Sequence, residues 1–596
     1  MNNSRFPVHM PFRSLLRLVA PLIAALVAIA PAQAQLLDPR SAPEAATGSE
    51  THALTTAKRH MVSAANAIAA EAGREMLRAG GSAIDAAIAV QLVLNLVEPQ
   101  SSGVGGGAFI LYWDAAKGEL KAYDGRETAP ASARPDRFLV DGKPMAFNTA
   151  VLSGLSIGVP GVVRLIEKVH RKHGKLPWAK LFEPAIRIAE EGFEVSPRLH
   201  LLLRLEGAES FVPAARHYFF TDSGSAVPIG YRLKNPQFAA TLRAIAAGGS
   251  DAFYEGPIAQ AIVDAVAAAP TAAGGMTLDD LKSYQAKERP PLCVGYRVLE
   301  VCGLGPPSSG GPAVAQTLKL LEPFDLGKSP DAALNPRAVH LIAEAQKLAF
   351  ADRNRFVGDP DFVAVPDGLL DDAYLAQRRA LIDPERAADK PKAGEPPGLK
   401  RQSFGADATI ERAGTSHISI IDDEGNALSM TTTIEGAFGS HNWVAGFLLN
   451  NELTDFSFVP VDAAGQPLAN AVGPGKRPRS SMAPTIVFDA QRRVEAVLGS
   501  PGGSRIILYV LKTLIALIDW GLDAQQAADL FNVGSQGSGL ELELDWPAVP
   551  LALALKPLGH RIVPSLMNSG VHIVTRRGDH LEGAADSRRE GAALGD

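Results

Sequence analysis

One stretch constrains this chain more than any other. The runs SHISIID and NALSMTTT flank Asp423-Glu424-Gly425-Asn426, so two alternating segments are joined by a tight, Gly-containing turn. That pattern predicts an antiparallel hairpin. A lone hairpin is marginal in water, so one this apolar needs neighbouring strands and cover on its faces. Three other pairs can supply strands: AFILYWD with LKAYDG, TIVFD with VEAVLG, and a hairpin from Cys293 to Cys302 turning at Gly295-Tyr296. Centred between Glu424 and Gly425, the main turn sets residue 434 opposite Thr415. Thr433 and Glu435 then flank that partner on one face of their strand, next to Ala413-Gly414.

The cover is helical. Ser63 is predicted to start an Ala-rich helix that stops at Gly80-Gly81, and Ser82 to cap SAIDAAIAVQLVLNLVEP, which ends before Pro99. Both are apolar nearly all round, the mark of helices buried between layers. Residues 160–350 read as mostly helical, and SRIILYVLKTLIALIDW opens a long helix immediately after Pro501-Gly502-Gly503. The run 384–411 is rich in Pro, Lys and Glu and is expected to be a mobile linker. No repeats are found. The order of elements suggests sheets sandwiched between helical layers.

Of the 596 residues 46% are hydrophobic and 20% charged, which excludes a mainly disordered chain, and the net charge of −6 leaves no basic field for nucleic acid. Residues 1–34 read as a cleavable secretory signal: Arg5, Arg13 and Arg17, an apolar core from Leu18 to Ala30, and the cleavage triplet Ala32-Gln33-Ala34. The core is too short for a spanning helix, so a periplasmic or secreted protein without a stable membrane anchor is expected. In an oxidising compartment Cys293 and Cys302 can bridge; two buried thiols fit the sequence as well.

The hairpin offers a chemistry. A threonine hydroxyl is a poor nucleophile without a base. Cleavage between Gly414 and Thr415 would free an α-amine with an unperturbed pKa of about 7.7–8, able to take the proton from its own hydroxyl. Gly414 would let that hydroxyl approach its carbonyl closely. Gly502 and Gly503, at a helix N-terminus, offer backbone N–H groups for an oxyanion. Taken alone, these features are better read as an ordinary sheet threonine and an ordinary glycine turn.

Longer runs go further. GTSHISIIDDEGNALSMTTT, GFLLNNELTDFS, NAVGPGKRPRSSMAPT and GSPGGSRI resemble the small subunit of the gamma-glutamyltranspeptidases. SGVGGGAFILYW, YDGRETAP, GPPSSGG and EAQKLAFADRNRFVGDPDFVAVP look like the large subunit. The resemblance runs from about residue 55 to GAADSRREG. It implies an α+β fold, the four-layer αββα sandwich of the N-terminal nucleophile hydrolases, and autocatalytic cleavage before Thr415 into a large segment (35–414) and a small catalytic one (415–596) that remain together as a heterodimer. By the same resemblance Thr415 is the nucleophile and Thr433 steadies it. Arg126, with Ser480 and Ser481, takes the α-carboxylate of a γ-glutamyl group. Asp455 and Glu452 take its ammonium, and Gly502 and Gly503 form the oxyanion hole. Glu435 stands where many members have Asn, adding negative charge near the amino group. The segment between Asp455 and Asn470 should carry a lid; it is short and lacks tyrosine, which favours hydrolysis beside transfer. The substrates implied are glutathione and other γ-glutamyl amides, with an amino acid or dipeptide as acceptor. No organic cofactor and no metal are expected.

Other patterns carry less. Gly154-Leu155-Ser156-Ile157-Gly158 matches a nucleophile elbow but lacks a strand before it. GVGGGAF lacks the Lys-Ser/Thr of a phosphate loop, and His170 and His173 lack the glutamate of a zinc helix. Asp359-Pro-Asp361 lacks the glycine and distant glutamate of a calcium loop. His417 reads as structural. The rival readings are a glutaryl-cephalosporin-type acylase on the same fold, a non-catalytic periplasmic binding protein, and a serine hydrolase built on Ser156.

Overall fold

A computed structural model of the chain describes residues 47, 51–399, 404–409, 411, 412 and 414–596; the expected leader, 1–34, lies outside them. The main hairpin forms as strand Thr415–Ile421 against strand Ala427–Thr433, every residue of both being buried. Its register differs by one from the expected one: Thr415 pairs with Thr433 rather than with residue 434. The cause is local. Asp422 Oδ1 accepts the backbone N–H groups of Glu424 (3.0 Å) and Asn426 (2.9 Å), and Asp422 N–H reaches Asn426 O at 3.0 Å. This side-chain turn takes in residues 422–426 and centres the loop on Glu424, with Gly425 at φ 80°. A one-residue shift changes what faces what in a strand, and here it sets Thr433 directly across from Thr415.

The hairpin lies inside a seven-stranded sheet ordered Ala592–Gly595, Met61–Ala64, Thr415–Ile421, Ala427–Thr433, Gly107–Asp114, Glu119–Gly125, Lys287–Arg289. A second seven-stranded sheet runs Thr55–Ala57, His580–Ala585, His572–Arg577, Val494–Gly499, Thr485–Phe488, Leu299–Leu304, Pro291–Tyr296. Every pairing in both is antiparallel. Each sheet takes strands from both sides of the Gly414–Thr415 bond, so separating 35–414 from 415–596 would strip buried backbone groups of their partners.

Helix Ala83–Val97 carries the expected Ser82 cap, doubled by Asp85 reaching back to Ser82 N–H at 2.8 Å, and is buried along its whole length against the hairpin strands. The preceding helix, Ala67–Arg78, starts later than the sequence suggested, with Asn66 as its cap. Ser63 is instead part of the strand paired to Thr415–Ile421, because β-pairing in the interior outweighs a local capping preference. Helices Gly310–Leu321 and Ile506–Ile518 pack on the second sheet, and the hairpin strands touch Val494–Gly499 of that sheet. The apolar core falls into two large clusters, one around helix Ala83–Val97 and one around Ile506–Ile518.

Two further expectations resolve. The cysteine hairpin turns at Arg297-Val298, not Gly295-Tyr296, which brings Cys293 opposite Cys302; the two are joined in a disulfide. In the 384–411 run, read from its composition as a mobile linker, several of the described backbone N–H groups bond other parts of the chain. Ala388 N–H donates to Glu344 Oε2 at 2.8 Å, Gly394 N–H to Asp352 Oδ1 at 2.9 Å, and Gly405 N–H to Pro467 O at 3.0 Å. Composition misses such contacts because the acceptors lie on distant parts of the fold.

Candidate active site

Thr415 opens its strand and Gly414 leads into it. The Thr433 hydroxyl donates to Gly414 O and accepts the Glu435 N–H, each at 2.7 Å. Glu435 sits at φ 74°, its carboxylate taking Arg412 N–H at 3.3 Å and the Asn451 side-chain amide. Short turn Glu452–Asp455 follows. A cavity of about 20 Å³ is lined by Arg126, Thr415, Thr433, Glu435, Glu452, Asp455, Ser480, Ser481 and Gly503, together with Glu411, Arg412, Met482 and Ile506. The expected site residues therefore converge, apart from Gly502, which lies next to the lining. The space has room for little more than a water.

The charges are arranged differently from the simple expectation. Buried Arg126 gives Nη1 to Glu452 Oε1 and Nη2 to Asp455 Oδ2 at 2.5 Å. Its remaining donors reach Arg479 O at 2.9 Å and Pro478 O at 3.2 Å. Arg126, expected at one end of a substrate, and Glu452 with Asp455, expected at the other, form ion pairs with each other, which offsets the cost of burying each charge. Burial pushes the carboxyls of Glu452 and Asp455 up despite Arg126, and pushes those of Glu435 and Glu127 up to about 7. Arg126 opposes the upward shift of all four, and Arg412 also opposes that of Glu435, but burial outweighs both.

Gly503 begins a single turn, Gly503–Arg505, that leads into helix Ile506–Ile518, so the helix opens one turn later than the sequence implied. Gly502 and Gly503 have φ 142° and 55°. A Cβ on Gly503 would lie 2.6 Å from Arg412 O and 3.0 Å from Glu411 O, so the linker backbone rests against this glycine. The segment expected to form a lid is held by Phe458, stacked on Phe138 at 4.5 Å and Phe147 at 5.9 Å, and by Leu468 N–H donating to Pro460 O at 3.0 Å.

Sequence reasoning missed Glu127, Arg353, Arg479 and Glu411. Each lies in or beside a run already singled out, but only the fold shows which neighbours they meet. Arg353, on helix Pro336–Phe356, and Arg479 both bond to Glu411. The lesser patterns have ordinary explanations. Ser156 Oγ donates to Val151 O and Ser153 O, each at 2.8 Å. His417 is buried between Thr431 Oγ1 (2.8 Å) and Ser419 Oγ (3.1 Å), and burial holds its imidazole well below the usual range, hence neutral. Among the described residues His340, Glu344 and His560 cluster, but the two imidazoles bond each other at 2.7 Å and Glu344 pairs with Lys347 at 2.8 Å.

A threonine opening an inner strand, with donors and carboxyls gathered round it, is the layout of the N-terminal nucleophile hydrolase class. Comparison with known proteins narrows this. The family model described as gamma-glutamyltranspeptidase matches residues 69–596. A glutathione hydrolase proenzyme of Bacillus subtilis (strain 168) is 36% identical over 550 residues, covering 90% of this chain and 91% of its own. An acylase ACY 1 proenzyme of Pseudomonas sp. (strain V22) is 34% identical over 554 residues, 90% of this chain and 94% of that one. The crystal structure of cephalosporin acylase from Bacillus halodurans superposes with a TM-score of 0.80 at 27% identity, covering 92% of this chain and 98% of that one. The chain belongs to the gamma-glutamyltranspeptidase family, and is an enzyme of that family rather than a non-catalytic binding protein.

Proposed function

We propose that this enzyme cleaves γ-glutamyl amides, glutathione among them, by passing the acyl group through an ester on Thr415. The observation that carries the reading is the convergence of Thr415, Thr433, Arg126, Glu452, Asp455, Ser480, Ser481 and Gly503 on one cavity. In the first event the Thr415 hydroxyl adds to the Gly414 carbonyl. The C–N bond breaks, the acyl group passes to oxygen, and water hydrolyses the ester to leave a Gly414 carboxylate and a free Thr415 amine. In turnover that amine takes the hydroxyl proton as Oγ attacks the substrate's γ-carbonyl, then returns it to the departing amine. Gly502 and Gly503 N–H groups hold the oxyanion; one such donor is worth about 3 kcal/mol. Water resolves the acyl-enzyme, or the amine of an amino acid or dipeptide does.

The substrate's charges fix its orientation. Its ammonium lies among Glu435, Glu452 and Asp455; its α-carboxylate is read by Ser480, Ser481 and Arg126. The two sheets stack between helical layers as a four-layer αββα sandwich, and the cut segments remain a heterodimer through shared sheets. Export by the 1–34 signal fits the disulfide, and among the described residues no helix is long and apolar enough to cross a membrane. The short lid favours hydrolysis.

Thr415→Ala tests this. The variant should stay one chain on a denaturing gel and release no amine from a γ-glutamyl anilide; release at the parent rate would end the proposal. A second reading, a glutaryl acylase, is favoured by the likeness to cephalosporin acylase. Glutaryl amides lack the ammonium, so a preference for them over γ-glutamyl amides would select it.

A further inference from the structure

Arg412, two residues ahead of Gly414, is gripped by three separate parts of the fold. Its guanidinium carbon lies 4.4 Å from the centre of the Phe147 ring, which opens the short helix Phe147–Val151. Its backbone N–H donates to Glu435 Oε1 at 3.3 Å, and its carbonyl oxygen rests against Gly503. A second cavity, of about 230 Å³, adjoins the catalytic one, and Arg412 and Glu435 line both. Phe147, Leu152 and Leu205 give this second cavity an apolar wall, and Glu206, Glu209 and Glu435 give it carboxylates. An aromatic face among carboxylates is the chemistry that holds a guanidinium.

Gly414 has no slack either. A Cβ there would lie 2.1 Å from Glu435 O and 2.9 Å from Gly436 O, so this glycine runs against the 435–436 backbone. Its own carbonyl accepts the Thr433 hydroxyl at 2.7 Å. On the other side of Arg412, Glu411 is buried against Arg353 and Arg479. Two residues of chain span at most about 7 Å, so a displacement of Arg412 is felt at the Gly414 carbonyl. In self-cleavage the Thr415 Oγ–Gly414 carbon bond forms, the C–N bond breaks, and the hydroxyl proton ends on the nitrogen. The rate of such a step depends on holding hydroxyl and carbonyl carbon in line, and a misplacement of about 1 Å can cost 10²-fold.

We propose that Phe147 is a positioning residue for self-cleavage. Its ring, with the acidic wall beside it, is a seat for an arginine side chain, and Arg412 held there keeps the Gly414 carbonyl in line with the Thr415 hydroxyl. The inference rests on the reading that the chain cuts itself before Thr415. The ligand class of the seat is a guanidinium on a flexible chain, and the seat serves the uncut chain rather than turnover.

Two measurements test it. The first is the rate of self-cleavage on a denaturing gel for the parent, Phe147→Leu, Arg412→Met and the double variant. Each single variant should be slower by about twofold to thirtyfold, the range of a cation–π contact, and the double variant no slower than the slower single one. Phe147→Tyr and Arg412→Lys should keep most of the parent rate, because ring and charge persist; a ring that only filled space would be replaced equally well by leucine. Once matured, Phe147→Leu should turn over a γ-glutamyl anilide with the parent's kcat and KM. Effects that multiply in the double variant, or parent rates in both single variants, overturn the proposal. The second measurement uses the uncut Thr415→Ala chain and limited trypsin digestion, since the bond after Arg412 is a trypsin site. Adding Phe147→Leu should speed release of the fragment beginning at Ala413 by about twofold to thirtyfold, with cutting elsewhere unchanged. Equal release, or faster cutting at every site, overturns the proposal. A parent chain that yields no fragment beginning at Thr415 sinks the reading of self-cleavage instead, and the trypsin rates then decide the seat by themselves.

Discussion

The Thr433 hydroxyl donates a 2.7 Å hydrogen bond to the carbonyl oxygen of Gly414, the residue immediately before Thr415, while Thr433 and Thr415 face each other across the hairpin. That donor is aimed at the oxygen that would gain negative charge if the Thr415 hydroxyl attacked. Thr433→Ala should slow self-cleavage by about 10²–10³-fold, the usual effect of removing one oxyanion donor, and Thr433→Ser should restore most of it. The fraction of cut chain against time on a denaturing gel measures this. Cleavage of the alanine variant at the parent rate would reduce Thr433 to a support for the Glu435 N–H.

Gly503 faces the linker closely. At φ 55° an added Cβ would meet Arg412 O at 2.6 Å, backbone that cannot swing aside as a side chain would. Gly503→Ala should therefore displace residues 411–412 and slow maturation, with a further cost of about 1 kcal/mol for the left-handed backbone. Unchanged maturation kinetics on the same gel assay would show that the linker does not need this contact.

Glu435 gives a pH signature. Burial raises its carboxyl from 4.5 to about 7 in the folded chain. An acid with a raised folded pKa favours folding while it is protonated, and that contribution is lost as pH rises from about 4.5 through 7. In the uncut Thr415→Ala background, Glu435→Gln should thus gain melting temperature relative to its parent between pH 4.5 and 7, with no further gain at pH 8. Thermal melts across that range decide it; a difference that shrinks or stays flat with rising pH would mean the carboxyl is ionised at no cost in the fold.

Much of this architecture was legible in the residues. Alternation and a Gly-containing turn gave the 415–433 hairpin, and Ser82 with its apolar run gave the buried helix at Ala83–Val97, because both signals are local and periodic. The register was not legible. It depended on the Asp422 carboxylate folding back onto Glu424 and Asn426, a side-chain contact that no alternation pattern records. The site divides in the same way. Thr415, Thr433, Ser480, Ser481 and Gly503 stand in recognisable runs, yet Arg353 reaches Ser481 and Glu411 from a helix more than a hundred residues away from Ser481 in the chain.

By itself, then, the order of residues determined the main hairpin and the buried helix that follows Ser82, which family the chain resembles, and which side chains were candidates for chemistry; these follow from short-range periodicity and motif spacing. Tertiary structure alone decided that Arg126 is shared between Glu452 and Asp455, that Cys293 meets Cys302, and that a linker carboxylate lies on Arg353 and Arg479. The reason is physical: in a buried site each charge takes the opposite charge that packing brings within reach, and packing is settled only when strands from both segments close the same two sheets.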